Sequence, residues 1–414
     1  MMLEDMKAKL DISQYGNTKG VSIQHYLIKF IDQVLQNLDN NSKGDIFAAV
    51  ATFVDWKQAF NRQDPKLGVE SFIENGVRPA LIPTLINYFQ NREMYVKWHG
   101  QHSSRRKLKG GGPQGGTLGI IEFVSQSNTN ANCVEADYRW KWVDDLTMLE
   151  IKNLLSIGLA SYNNKFQVPN DFDVEKNYIP SESLKTNTYL KEINEWTDNQ
   201  KMKLNKKKTN SMIFNYTKNF QFNTRFKINE EKIDIVKKTK LLGTIITDDM
   251  TWEENTKELI KKANMRMWLL RKVSSFKPSR EDLKLIYIQY VRSTLEQSCV
   301  VWQGSLTVEQ RENIERLQKN SLRIILRSDY KNYENALDVL NLQTLECRRK
   351  ELSLKFALKC KYNSHAKNLF KVKNKEHLMN LRKTNTYKTT MSERYYNSAV
   401  PYMERLLNEH TRKN

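Results

Sequence analysis

Apolar positions in the first part of the chain change from strand-like to helix-like spacing. Residues 46–54, IFAAVATFV, form an almost unbroken run of apolar and small side chains that ends at Asp55. Such a run is typical of a central strand buried on both faces of a sheet. Helical spacing follows at residues 66–90, where Gly76 is placed to end one helix and Pro79 to begin the next. The pattern therefore predicts helices that pack on a sheet.

The middle of the chain continues this mixture of elements. A polar, glycine-rich loop, RRKLKGGGPQGG, spans residues 105–116, and residues 161–188 are polar and irregular, which predicts a long surface insertion. Leu190, Ile193 and Trp196 then recur at three-residue spacing, so one face of a helix is apolar. The segments EMYVKWHG, SMIF and KLLGTII are the remaining strand candidates.

After Trp252 the periodicity becomes helical throughout. Apolar residues recur on one stripe of ENTKELIKKANMRMWLLRKV, while lysines and arginines occupy its other faces. The tail from residue 366 onward is rich in Lys, Asn and Thr, a composition that predicts a loosely ordered segment. Two helices before it carry capping pairs, Ser279 with Asp282 and Thr307 with Gln310.

Charge narrows the class of partner. The chain has 67 Lys and Arg against 47 Asp and Glu, a formal net charge of +20 in 414 residues. Such an excess favours a polyanionic partner, with nucleic acid as the first candidate and an anionic membrane surface as the second. We expect a soluble intracellular protein that does not enter a membrane, because no apolar run approaches a membrane span or a signal peptide. The four cysteines and six histidines show no zinc-type spacing.

Carboxylates at the ends of predicted strands are the candidate reactive groups. A single aspartate at a strand end is most often a solvated turn residue. Asp144 and Asp145 differ because WV precedes them and LTML follows, so two short strands would flank a tight hairpin with both carboxylates at its tip. Asp248 and Asp249 lead into a helical segment, and we assign that pair to a turn and helix entry.

Adjacent carboxylates in a partly buried turn favour a cation. They repel one another when both are ionised, and their hard oxygen atoms suit magnesium. Asp55, at the end of another strand, is the natural third ligand of a site for two ions of the kind used for in-line phosphoryl transfer. The glycine-rich loop, with Lys107 and Lys109, could approach a bulky ligand closely, although a flexible surface loop is the alternative explanation.

The order of these segments resembles that of the reverse transcriptases of non-LTR (LINE-type) retrotransposons. FVDWKQAF (53–60) is similar to motif A, GGGPQGGTLG (110–119) to motif B, WVDD (142–145) to motif C and MKLNKKKT (202–209) to motif D. KLLGTIITDDMTW is similar to the segment that joins palm to thumb, and QYGNTKGVSIQH to the end of the fingers. The ordered set is far more specific than any one motif.

This resemblance implies an α+β fold with a right-hand polymerase palm, in which helices pack on an antiparallel sheet. Remnant fingers would precede the palm, and a helical thumb would follow it. The implied domains are a fingers remnant at 1–45, the palm at 46–252 with its insertion at 161–188, the thumb and connection at 253–365, and a basic, loosely ordered tail at 366–414.

The resemblance also implies the reaction, which is RNA-templated addition of deoxynucleotides to a primer 3′ end. Asp55, Asp144 and Asp145 would bind two Mg²⁺ ions, with Mn²⁺ as an alternative. Lys208 would assist proton transfer to pyrophosphate, whereas in isolation its lysine run would be read as a solvated basic face. The partners would be an RNA template, a DNA primer and deoxynucleoside triphosphates.

Three further residues would contact the nucleotide by the same resemblance. Phe60 would be the steric gate that rejects a ribose 2′-hydroxyl, although an ordinary core phenylalanine is the alternative. Gln114 and Gly115 would contact the incoming nucleotide and the template.

The chain also departs from the family pattern. Finger strands and an endonuclease domain, which often precede the segment at residue 14, are missing, so we expect an N-terminally truncated enzyme. Asn61 stands where Asp is common, and Ile120 and Glu122 replace a proline and an aliphatic residue. Two alternatives stay open: an RNA-templated RNA polymerase, and a catalytically inactive remnant that only binds nucleic acid. The residues do not distinguish a nuclear from a cytoplasmic location or indicate an oligomeric state.

Overall fold

The computed structural model of the protein divides into two compact units. One unit comprises residues 1–22 and 40–236, and the other comprises residues 23–39 and 237–414. The structure describes residues 2–39, 47–90, 92–108, 110–112, 116–154, 184–216, 224–361, 363, 366, 369–370 and 392–413.

The first unit is built on a six-stranded sheet. Its strands lie in the order β6-β7-β1-β8-β10-β9, and all neighbours are antiparallel except the β8–β10 pair. The predicted central strand is confirmed, because β1 lies between β7 and β8 and seven of its eight residues are buried. The strands are β1 (Phe47–Val54), β6 (Arg139–Trp142), β7 (Asp145–Asn153), β8 (Asn210–Phe214), β9 (Phe226–Ile228) and β10 (Glu231–Ile235).

Helices cover one face of this sheet. Val50 and Val54 of β1 pack in one apolar cluster with Phe123 of helix α5 and with Leu190 and Ile193 of helix α6. The helices of this unit are α1 (Met2–Met6), α3 (Pro65–Glu74), α4 (Ile82–Phe89), α5 (Thr117–Gln126) and α6 (Thr186–Asn199).

The segment EMYVKWHG forms two-residue strands instead of one strand. These strands, β2 and β3, pair with two short strands that follow the segment, β2 with β5 and β3 with β4. All eight residues of the four strands are exposed. The alternation therefore marks a hairpin without a buried face. These strands are β2 (Glu93–Met94), β3 (Lys97–Trp98), β4 (Gln101–His102) and β5 (Arg106–Lys107).

The second unit is mainly helical, as the pattern after Trp252 predicts. Both capping pairs are present: the Ser279 hydroxyl accepts from the Asp282 N–H, and Thr307 forms a complete capping box with Gln310. Its elements are α2 (Ile23–Asp39), β11 (Lys238–Leu241), β12 (Thr244–Thr247), α7 (Glu253–Ser274), α8 (Arg280–Ile286), a π-helix (Tyr287–Arg292), α9 (Ser293–Leu295), α10 (Cys299–Trp302), α11 (Val308–Leu326), α12 (Tyr333–Val339), α13 (Leu345–Cys360), α14 (Glu393–Tyr396) and α15 (Ala399–Lys413).

The prediction of a loosely ordered tail is wrong at its end, where α14 and α15 are helical. Helix α15 buries Val400, Met403 and Leu407 and packs on α2 and α13. The apolar spacing of these side chains was masked by the polar composition around it. The predicted insertion at 161–188 lies mostly outside the described residues, but α6 begins at Thr186, within its predicted bounds. No described helix is long and apolar enough to cross a membrane.

Candidate active site at the carboxylate hairpin

A tight hairpin carries the first two candidate carboxylates, as the sequence predicts, but only Asp144 lies at its tip, because Asp145 is the first residue of β7. Strands β6 and β7 pair up to Trp142 opposite Asp145, which leaves Val143 and Asp144 as the two turn residues. Val143 has φ +57°, as the first central residue of a type I′ or II′ hairpin turn requires. A β-branched residue rarely adopts this conformation, which costs about 1–3 kcal/mol. The turn is therefore strained beside the two carboxylates.

The third carboxylate lies at the same edge of the sheet. The last pair between β1 and β7 joins Val54 to Leu146. Asp55 follows Val54 and Asp145 precedes Leu146, so continuation of this antiparallel register places the two aspartates opposite one another. The structure thus brings together three site residues that are about ninety positions apart in the sequence.

The electrostatics of the hairpin disfavour its ionised form. Burial among protein atoms, followed by the charges of Asp144 and Asp55, raises the pKa of Asp145 to about 6. Burial and the Asp55 charge also raise the pKa of Asp144. Both residues are nevertheless exposed to solvent, so water screens part of this repulsion. A cation between the carboxylates would relieve the remainder.

The chemistry of these donors fits magnesium. Carboxylate oxygens are the hard ligands that Mg²⁺ prefers, and the ion is usually held by one or two carboxylates with several waters retained. Within the ranges that the structure describes, no group of three or more His, Cys, Asp or Glu side chains is arranged so that it could hold a metal ion. The three aspartates therefore share one end of the sheet without forming a complete set of metal ligands.

The segment that carries Lys208 lies against Asp55. The Asp55 N–H donates to the Thr209 hydroxyl at 3.2 Å, and the Asp55 carbonyl accepts from the Asn205 N–H at 2.8 Å. Lys208 lies in the turn between these contacts, and its side chain is exposed. Thr209 and Asn205 are positioning residues that the sequence did not single out, because their contacts are made by backbone groups and a short hydroxyl.

Phe60 lies in a short 3₁₀ turn that holds the glycine-rich loop. Its carbonyl accepts from the Gly112 N–H at 2.7 Å, and the Gln63 carbonyl accepts from the Gly111 N–H at 2.8 Å. The Phe60 ring is half-buried and lies 5.2 Å from the Phe123 ring. The proposed gate and the glycine-rich loop are therefore joined through the backbone, while the aromatic contact with Phe123 is also what a core residue would make. Gln114 and Gly115 lie outside the described residues.

Glu122 is buried beside this loop and has no hydrogen-bond partner among the residues that the structure describes. Its side chain is 0% exposed. Burial raises its pKa to about 7, although the charge of Arg92 opposes this. A Cβ atom at Gly68 would lie 2.6 Å from Glu122 Oε1, so a larger residue at position 68 would force the end of the Glu122 side chain to move. A carboxyl group is costly to bury in this way, so Glu122 sits poorly in its environment.

The second pair of adjacent aspartates behaves as a turn. The Thr247 hydroxyl and the Thr251 N–H donate to Asp249 at 2.6 and 3.1 Å. Burial opposes ionisation of Asp249, but these hydrogen bonds outweigh it and lower its pKa. The assignment of Asp248 and Asp249 to a turn and helix entry is confirmed.

A segment near the N-terminus, residues 11–16, runs along the hairpin, and we call it the strap. The Lys141 N–H donates to the Ser13 carbonyl at 2.9 Å, and the Tyr15 N–H donates to the Lys141 carbonyl at 2.8 Å. Asp11 forms an ion pair with the buried Lys141 at 2.6 Å. Burial opposes ionisation of Asp11, but the charge of Lys141 and a hydrogen bond from Arg139 hold its pKa at about 2. In the sequence, this segment was indicated only by the similarity of QYGNTKGVSIQH to the end of the fingers region.

Comparisons with known proteins give a distant likeness. No protein-family model matches the chain, and no curated protein matches it. Among solved structures it is similar to apo telomerase from Candida tropicalis, with a TM-score of 0.39, 12% identity and coverage of 87% of this chain and 57% of that chain. It is also similar to telomerase from Candida albicans in complex with a fragment of telomeric RNA, with a TM-score of 0.33, 12% identity and coverage of 89% and 56%.

The corresponding RNA complex from Candida tropicalis has a TM-score of 0.39 and 12% identity, with coverage of 100% of this chain and 53% of that chain. This chain therefore spans little more than half the length of the telomerase chains. Likeness at this level is too coarse to assign an activity.

Proposed function

We propose that the protein is an RNA-directed DNA polymerase, derived from a non-LTR retrotransposon, that adds deoxynucleotides to a primer 3′ end. The observation that carries the proposal is the hairpin that presents Asp144 and Asp145 opposite the end of the β1 strand at Asp55. On this proposal the six-stranded sheet with α5 and α6 is the palm.

Each carboxylate has a role in this proposal. Asp55, Asp144 and Asp145 would hold two Mg²⁺ or Mn²⁺ ions, which supply Lewis-acid stabilisation of an in-line phosphoryl transfer. Phe60 would exclude a 2′-hydroxyl from the space beside Asp55. Lys208, in the turn bonded to the Asp55 backbone, would provide a proton for the pyrophosphate that leaves.

The second unit offers a surface for a nucleic-acid duplex. Helix α7 exposes a basic set of side chains with Trp268, 59% exposed, among them. The Lys272 ammonium group lies 5.7 Å from the centre of the Trp268 ring. Cationic side chains contact phosphates without reading sequence, which suits a thumb that follows the duplex. The exposed cations of α7 are Lys257, Lys261, Arg266, Arg271 and Lys272.

Primer extension tests the proposal. Purified protein with Mg²⁺ or Mn²⁺ is given a DNA primer on RNA or DNA templates, with deoxynucleotides or ribonucleotides in separate reactions. We expect extension with deoxynucleotides on RNA. Asp144→Asn should lower the rate by roughly three orders of magnitude, because metal ions supply several kcal/mol of transition-state stabilisation. Asp249→Asn, the matched change in the other aspartate pair, should leave the rate near that of the wild type.

The same assay separates the alternatives. Extension by ribonucleotides alone would indicate an RNA polymerase. If the wild type extends no primer yet binds duplex with a steep salt dependence, the inactive remnant is the correct description. Full activity of Asp144→Asn would show that the metal-site assignment is wrong.

A further inference from the structure

We propose that the strap, residues 11–16, positions the carboxylate hairpin through Gln14 and Gly16. This inference rests on the proposed function, in which the hairpin carries the metal ligands. Among the strands that the structure describes, the hairpin's outer strand, β6, is at the end of the six-stranded sheet, and β7 is its one neighbour within the sheet. The strap lies along its open edge and forms an isolated parallel bridge between Gln14 and Lys141.

Gln14 reaches past the end of β6 to the turn itself. Its side-chain oxygen accepts from the Val143 N–H at 3.4 Å and from the Gly16 N–H at 3.2 Å. Gln14 is only 3% exposed, so water cannot readily replace this acceptor. Val143 is the residue held at φ +57°, directly before Asp144. Gln14 therefore satisfies the backbone of the strained residue on which the direction of both carboxylates depends.

Gly16 lets the strap approach this turn. A Cβ atom at residue 16 would lie 2.7 Å from the Val143 nitrogen and 2.9 Å from its Cγ2 atom. Contacts that short do not occur, so any side chain at Gly16 would push the strap and the turn apart. The strap can therefore lie close to the hairpin turn because Gly16 has no side chain and Gln14 supplies a hydrogen-bond acceptor.

Ion pairs hold the strap to the same strand. Asp11 contacts Arg139 at 3.1 Å and Lys141 at 2.6 Å, and both cations belong to β6. The Arg139 Nε–H also donates to the Ser13 hydroxyl at 3.2 Å. Because these contacts lie two to four residues before Val143, they fix the strap against β6 and leave Gln14 free to act on the turn.

Hydrogen exchange without metal tests the positioning role directly. In Gln14→Met, which keeps the length but removes the acceptor, we expect the amides of residues 140–146 to exchange about tenfold faster, since local opening becomes easier. Gln14→Asn is a milder variant should Gln14→Met fail to fold. Gln126→Met is the matched control, because Gln126 is also a buried glutamine of this unit and bonds the Gln200 carbonyl at 3.3 Å. It should leave hairpin exchange unchanged.

A metal readout distinguishes this inference from the proposed function. Mn²⁺ binding, followed by electron paramagnetic resonance, should weaken about tenfold in Gln14→Met and Gly16→Ala. Adding Val143→Gly to Gln14→Met should restore most of the affinity, because glycine adopts positive φ without strain. Hairpin exchange that does not change in Gln14→Met overturns the positioning role. Faster exchange in a protein whose wild type binds no Mn²⁺ supports the positioning role and contradicts the metal site.

Discussion

Replacing Glu122 with glutamine should stabilise the protein at alkaline pH. Glu122 is fully buried, neither of its oxygens bonds to a residue in the described part of the chain, and its pKa of about 7 lies above the ordinary value of 4.5. A carboxyl group with a raised pKa holds more protons in the folded state than in the unfolded state. Stability is therefore greatest in acid and falls as pH rises from about 4.5 through about 7.

The size of the effect follows from that shift. A difference of about 2.5 pH units corresponds to about 3 kcal/mol at pH 8, at about 1.4 kcal/mol per unit. At pH 5 the folded-state carboxyl is protonated and the cost is under about 1 kcal/mol. Glutamine has the same shape and no charge, so it removes the pH-dependent part. The unit that contains α5 has roughly 200 residues, for which the melting temperature should rise by up to about 10 °C at pH 8.

Calorimetry at pH 5 and pH 8 measures this difference. Glu150→Gln is the matched control, because Glu150 is also buried but accepts from the Lys185 and Thr186 N–H groups at 2.9 and 2.8 Å. That substitution should destabilise the protein, since an amide replaces a charged acceptor with one that has a single oxygen. A Glu122→Gln protein that is no more stable than the wild type at pH 8 would refute the assignment of an uncompensated buried charge.

Two other substitutions test the charges around the hairpin. Without metal, Asp145→Asn should stabilise the protein by about 1 kcal/mol at pH 8 after allowance for solvent screening, and this gain should vanish near pH 4. Asp249→Asn should instead lower the melting temperature. If the two substitutions shift the melting temperature equally, the direction of one of the two pKa shifts is wrong. Asp11→Asn should cost about 3–5 kcal/mol because it leaves Lys141 buried without a counter-charge. Urea unfolding measures this loss, and the double variant with Lys141→Met should recover most of it unless the ion pair is unimportant.

Elements whose pattern is local could be predicted from the sequence. The apolar run of β1, the capping pairs of the later helices and the hairpin around Asp144 each depend on neighbouring residues alone, and the structure contains all of them. The two pairs of adjacent aspartates were also separated correctly. The residues that follow each pair distinguish them, because a strand follows Asp144 and Asp145 whereas a helix follows Asp248 and Asp249.

Contacts between distant segments could not be predicted. The strap lies more than a hundred residues from Val143 in sequence, and nothing in either segment shows that they meet. Helix α2 belongs to the same compact unit as the C-terminal helices, and Tyr395 donates to Asp32 at 3.0 Å. The predicted fingers remnant at 1–45 does not coincide with a compact unit, because residues 1–22 belong to one unit and residues 23–39 to the other.

The costs concentrated at the hairpin favour a reactive site over a passive one. Val143 is held in a conformation that valine rarely adopts. Desolvation and the charge of Asp55 raise the pKa of both Asp144 and Asp145, and the charge of Asp144 raises that of Asp145 further. Each feature lowers the stability of the folded chain, and strain of this kind persists where the surrounding structure enforces it for a purpose. A protein that only bound nucleic acid through the basic helix α7 would gain stability from a glycine at 143 or an asparagine at 145. If Val143→Gly and Asp145→Asn both stabilise the apoprotein, and Asp145→Asn abolishes metal-dependent extension, the cost of the repelling carboxylates belongs to catalysis.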